Sequence, residues 1–173
     1  MKTSTVQPFW NVCRRTYLLW AAIVSVGFVA TQYHQLPNIN WLWLGLSAIG
    51  LGYMGLLLLE PKNRQPSLLY TGFLWLLTIA FGLAISGLAC ITATLAGLLG
   101  YLGIFWLFLM GIGHLLNGIV DRPLRPYLAS GGIQIAVGLA SLFAPPLQTF
   151  QYLLAGLVGG AAMLGLIAVP RRI

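Results

Sequence analysis

Glu60-Pro61-Lys62-Asn63-Arg64 separates one apolar run, residues 41–59, from the next, residues 68–88, and its reading decides the fold. A helix needs about 20 apolar residues to cross a bilayer, and Lys and Arg are retained in the cytoplasmic turns between such helices. The remaining cations fall in three further places: Lys2 with Arg14 and Arg15, Arg122 with Arg125, and Arg171 with Arg172. Between successive clusters lies enough apolar sequence to cross a bilayer and return. The far turn of each pair carries no Lys or Arg. The pattern predicts an all-α polytopic membrane protein of six transmembrane helices. They form three tandem hairpins, residues 17–60, 68–120 and 127–169, in a single membrane domain with both termini cytoplasmic.

Composition excludes a soluble domain. Charged residues make up 6% of the chain and hydrophobic residues 59%, against about 25% charged in an ordinary globular domain. Most of the outer surface must therefore face lipid. The net charge of +7 is spread over short turns rather than gathered in a stripe, so it reads as a topology signal that touches anionic headgroups and not as a nucleic-acid surface. Of the two cysteines, Cys13 is placed at the basic side and Cys90 at the opposite side. They share no CxxC pair or histidine cluster, so no disulfide, redox or metal motif is expected. The run 17–30 lacks a small-residue cleavage site after it and reads as a retained helix rather than a signal peptide.

Along the chain the predicted spans are 17–31, 41–59, 68–88, 93–120, 127–143 and 149–169. The first is the shortest, and the turn near 89–92 is set by length alone, since it has no Pro, Asn or charge. Tyr17, Tyr70 and Tyr127 open the odd-numbered helices, while Trp41, Trp43 and Tyr152 lie at the outer ends of even-numbered ones, as two interfacial belts would require. Each even helix closes on a proline beside a cation: Pro61 with Lys62, Pro123 with Arg122, Pro170 with Arg171. This repetition points to a duplicated hairpin with all copies in one orientation. Small residues four apart, Ala155 with Gly159 and Gly156 with Gly160, predict close helix packing within the chain, with a dimer face as the alternative.

His114, Asn117 and Asp121 fall at three- and four-residue spacing on one face of the fourth helix. Intramembrane polar residues mark function often enough to be weighed individually. One reading makes His114 a ligand for haem or a chlorophyll-type pigment, and another makes the row a short proton path. In the third, Asp121 pairs with Arg122 or Arg125 at the interface and His114 with Asn117 forms an interhelical hydrogen-bonding pair. A bis-histidine haem with His34 is disfavoured, because the two residues are placed at different depths. Glu60 pairs locally with Lys62 and Arg64. With one carboxylate in each of two turns, no paired general acid and base is expected. The chain reads as non-enzymatic, with no cofactor or metal predicted.

The three hairpins, the basic-proline stops and the short outer turns are similar to the HdeD-type family of small bacterial membrane proteins. The local match is Gly131-Gly132-Ile133-Gln134-Ile135-Ala136-Val137-Gly138-Leu139-Ala140-Ser141-Leu142-Phe143-Ala144-Pro145, a glycine-bearing helix closing in proline. Residues 153–165 continue it, and residues 107–118 resemble the family's fourth helix. The resemblance implies a bacterial inner-membrane protein linked to envelope or acid stress, without a catalytic motif. Two other expectations remain open: an accessory subunit of a larger membrane complex that contacts pigment or haem through His114, and a small transporter lined by Thr78, Ser86, Thr92, Thr94, His114 and Asn117. The expected partners are the lipid bilayer and, through glycine-rich faces, a second copy or a larger complex.

Overall fold

A computed structural model of the chain describes residues 6–34, 39–120 and 124–168, with side chains described from residue 11 onward. Among these residues every element is helical: α1 (Val6–Tyr33), α2 (Ile39–Leu59), α3 (Pro66–Ile91), α4 (Leu102–Val120), α5 (Leu124–Phe143), a short α6 (Pro145–Thr149) and α7 (Gln151–Ala168). All but α6 belong to a segment long and apolar enough to cross a membrane, six in number, with Ala96–Tyr101 adding a 3-10 turn ahead of α4. The protein is therefore a multi-pass helical membrane protein. Asp121, Arg122, Pro123, Lys2, Pro170, Arg171, Arg172 and the outer turn at 35–38 lie outside the described residues.

Proline sets several helix starts. Pro66 opens α3 after an extended Gln65, and Pro145 opens α6 after an extended Ala144; the first turn has no use for the missing N–H. Pro61 likewise opens a 3-10 turn, Pro61–Asn63, between α2 and α3.

Consecutive spanning helices run antiparallel. α7 packs most extensively on α1 and also on α5 and α4, while α4 lies along α5. α2 flanks α1, α3 leans on α4, and the α2–α3 seam is the thinnest between consecutive spanning helices. One end of the bundle collects the starts of α1, α3 and α5 with the ends of α2 and α4. There Asn117 meets both Tyr17 and Thr71, and Tyr17 meets Tyr127. At the other end Gln32 of α1 reaches Thr149 and Leu153, and Gln148 reaches Gly100. The first and last spans thus begin and finish at the same end.

Three expectations are corrected. The first helix is the longest, at 28 residues, rather than a short span opening at 17. Cys13, Tyr17, Trp20, Val24 and Phe28 form one buried stripe, and that stripe runs past Arg14 and Arg15, which are exposed. An amphipathic helix can keep its cations in the headgroup layer without ending there. The turn expected at 89–92 falls later. α3 continues to Ile91, and its end is held by Thr92, whose N–H and hydroxyl both donate to the Leu88 carbonyl. The α-helical part of the next span then starts at Leu102 rather than 93. The belt of tyrosines also fails in part. Tyr70 is exposed, but Tyr17 and Tyr127 are 4% and 0% exposed, because the bundle closes around their hydroxyls.

The exterior is apolar. Phe143, Ile91 and Trp41 are among its most exposed side chains, at 84%, 79% and 72%. In water such a surface would be untenable, and in a bilayer it is the matching face. Glycine allows the closest approaches inside. A Cβ on Gly131 would lie 2.6 Å from the Gly111 carbonyl oxygen, so α4 and α5 touch backbone to backbone. Gly156 and Gly159 face Phe28, Val24 and Met110, which makes the small-residue face of α7 an intramolecular contact.

Candidate functional site

The polar side chains of the interior gather where α1, α3, α4 and α5 meet. Asn117 and His114, both 0% exposed, lie one turn apart on α4, as their spacing requires. They do not pair with each other. The Thr71 hydroxyl donates to Asn117 Oδ1 at 2.8 Å, and Asn117 Nδ2 donates to the Tyr17 hydroxyl at 2.7 Å. The Tyr17 hydroxyl lies 3.5 Å from that of Tyr127. One amide thereby ties α4 to α3 and α1, and through Tyr17 to α5.

His114 turns to the other side. Its Nδ1 lies 2.7 Å from Gln134 Nε2 on α5, and that amide nitrogen also donates to the Ser130 carbonyl at 3.2 Å. The ring is flanked by Trp75, with centroids 5.0 Å apart and the planes at 67°, and by Tyr17 at 6.2 Å. His114 Nε2, Trp75 Nε1, Gln134 Oε1 and Ser130 Oγ are buried and have no hydrogen-bond partner among the described residues. Such groups cost roughly 1–3 kcal/mol each unless something satisfies them.

The third residue of the predicted row, Asp121, lies outside the described residues. His34 sits at the far end of α1, seventeen residues beyond Tyr17 and so about 25 Å further along the axis. It is therefore remote from His114, as the depth argument required. Among the described residues no three His, Cys, Asp or Glu side chains come together as a metal site. Cys13 is buried among α1's core residues and Cys90 is exposed beside Asn40 at the opposite end, so the two are not joined in a disulfide.

Three of the four hydroxyls expected to line a path are turned back on their own helices. Thr78 donates to Leu74, Ser86 to Gly82 and Thr92 to Leu88. Ser86 in addition accepts from Trp106 Nε1 at 3.1 Å. These bonds satisfy polar groups that lipid would otherwise leave unpaired.

Several residues were not singled out in the sequence. Gln134 and Thr71 are polar residues in largely apolar helices, and a polar side chain at membrane depth is the signal that could have marked them. Gln151 is less accessible to such reading. Its Oε1 accepts the Gly103 N–H at 2.9 Å and its Nε2 donates to the Gly100 carbonyl at 2.7 Å. A side chain of α7 thus caps the start of α4, satisfying an otherwise orphaned donor. Asn63 does the same for α2, donating to the Leu57 carbonyl at 2.8 Å.

At the basic end, Glu60 Oε2 lies 2.8 Å from Lys62 Nζ. The Lys62 hydrogen bond and charge hold the Glu60 carboxyl below its usual value, aided by Arg15 and Asn63. Of the two cations expected beside Glu60, Lys62 makes the pair, whereas Arg64 donates to the Leu59 carbonyl at 3.2 Å. No protein-family model, curated protein or solved structure matches the chain.

Proposed function

We propose that this is a non-enzymatic protein of the bacterial inner membrane, with its basic end in the cytoplasm, that serves the envelope under acid stress. The resemblance to HdeD-type proteins supplies the stress association. The observation that carries the rest is the use made of the interior polar groups: Tyr17, Thr71 and Asn117 are spent on tying four helices together. Their chemistry is cohesive, and the same holds for the back-bonded Thr78 and Ser86. A protein built this way acts through its presence in the bilayer or through partners laid against its apolar exterior. The test is survival after an acid shift. A strain lacking the protein should lose viability relative to the parent and regain it from a plasmid copy; equal survival of both strains would remove the stress role.

One observation supports a second reading, an accessory subunit that contacts pigment or haem. His114 Nε2 is buried and unpartnered, which is the atom an axial ligand would use. Trp75 and Tyr17 occupy the space beside the ring, so such a group would have to displace them. Protein purified from its own membrane should show a visible absorption band abolished by His114→Ala if this reading holds, and a colourless preparation would dispose of it.

A further inference from the structure

Two cavities share a wall at the basic end of the bundle. The first, about 60 Å³, lies among α1, α2 and α3, with Met110 of α4 and Met163 of α7 closing it, and it extends from Cys13 at the basic end to Phe28 and Trp43. The α2–α3 contact beside it is thinner than that between any other two consecutive spanning helices. The second, about 290 Å³, lies between α1 and the turn after α2 and is lined by Arg15, Glu60, Lys62 and Asn63. Val12 and Leu57 line both. A polar chamber at headgroup depth therefore borders an apolar one at acyl-chain depth.

Charge narrows the occupant. Arg15 and Lys62 are the cations of the polar chamber and Glu60 its carboxylate, so its net charge is 2 − 1 = +1. Lys62 is engaged with Glu60, whereas Arg15 makes no ion pair among the described residues. A guanidinium with free donors suits a phosphate, which it can grip through two parallel N–H bonds. The apolar chamber offers water few partners and would stay dry. At well under the about 150 Å³ that holds benzene, it admits a short section of one chain and no ring system. Acyl chains are what the bilayer presents at that depth.

We infer that the paired cavities bind one anionic glycerophospholipid of the surrounding bilayer, its single phosphodiester charge against Arg15 and Lys62 and one acyl chain passing Val12 and Leu57. A zwitterionic headgroup brings its own ammonium to a chamber that is already positive, so it is the poorer fit. This goes beyond the stress role and does not depend on it.

The test uses the full chain in mixed micelles with phosphatidylglycerol and phosphatidylcholine at equal concentration, the bound lipid being counted by native mass spectrometry. One phosphatidylglycerol per chain should be retained in preference to phosphatidylcholine. Each cation near a headgroup contributes about fivefold, so R15Q/K62Q should weaken retention about thirtyfold. R15K/K62R should keep the lipid, as should R125Q, which removes an exposed cation outside the chamber. Val12→Trp, which fills the shared wall, should release it. Equal retention of the two lipids, or equal loss in R125Q, would reduce the effect to general surface attraction and overturn the site. Displacement of the lipid by an equal concentration of glycerol 3-phosphate would overturn it too, by showing a free-phosphate pocket. Should R15Q/K62Q fail to fold in phosphatidylcholine micelles, R15K/K62R against Val12→Trp decides the question.

Discussion

The Asn117 amide donates to the Tyr17 hydroxyl at 2.7 Å although a hundred residues of chain separate them. The same side chain accepts from Thr71 at 2.8 Å, so a single residue of α4 ties itself to two other helices, α1 and α3. In a bilayer, where apolar helices gain little by exchanging lipid for one another, such bonds select which faces meet.

Replacing Asn117 with Leu removes both bonds at nearly constant volume. Interhelical bonds in membranes average about 0.6 kcal/mol and reach about 1.7, so Asn117→Leu should destabilise by about 1–2 kcal/mol. Thr71→Val removes one bond and should lose about half as much. Unfolding in mixed dodecyl maltoside and dodecyl sulfate micelles measures both. A larger loss for Thr71→Val would show that the knot does not centre on Asn117.

Gly131 and Gly132 make a matched pair. A Cβ at Gly131 meets the Gly111 carbonyl oxygen at 2.6 Å and Leu115 Cγ at 2.8 Å, whereas one at Gly132 meets nothing within 4 Å. Backbone cannot give way as a flexible side chain can. Gly131→Ala should cost about 1–3 kcal/mol by overpacking, while Gly132→Ala should stay within about 0.5 kcal/mol of the parent. The same micelle titration reads the difference.

The orientation is open to labelling. In a chain with Cys13 and Cys90 replaced, single cysteines at His34 and Gln148 should react with an impermeant maleimide added outside intact cells. Cysteines at Lys62 and Arg125 should react only after permeabilisation. A full exchange of the two sets would reverse the proposed orientation. A split within either set would contradict the hairpin arrangement itself.

Glu60 gives the basic end a pH dependence of known sign. Its carboxyl is held below the ordinary value of 4.5, chiefly by Lys62, so the pairing is in place above the ordinary carboxylate range and is lost as pH falls through the lowered value. Being solvent-exposed, the pair should scarcely alter global stability. Protonation would, however, raise the net charge of the polar chamber from +1 to +2. Anionic lipid should therefore be held more tightly once pH has fallen through the lowered Glu60 value than at neutral pH. Glu60→Gln at neutral pH should reproduce the gain, about fivefold. Weaker binding in that variant would contradict the charge argument.

Hairpin spans were readable because bilayer thickness and cation retention act along one dimension, residue by residue. The proline signal at Pro61 is local as well. Reading failed where a helix outlasts its apolar run, as α1 does past Arg14 and Arg15. It also failed where a turn has no breaker, as after Ile91. The candidate site was half legible: His114 and Asn117 stood out as polar residues in an apolar helix, but their separate partners, Gln134 on one side and Tyr17 with Thr71 on the other, did not.

The amino-acid sequence alone determined that this chain crosses a membrane an even number of times in hairpins, because hydrophobic length and charge placement are summed locally. Only the tertiary structure decided which helices touch, that Gln151 caps α4 and that Arg15 and Lys62 share a chamber. Those outcomes depend on helix rotation and on glycine-permitted approach between residues far apart in the chain, and no local rule encodes either.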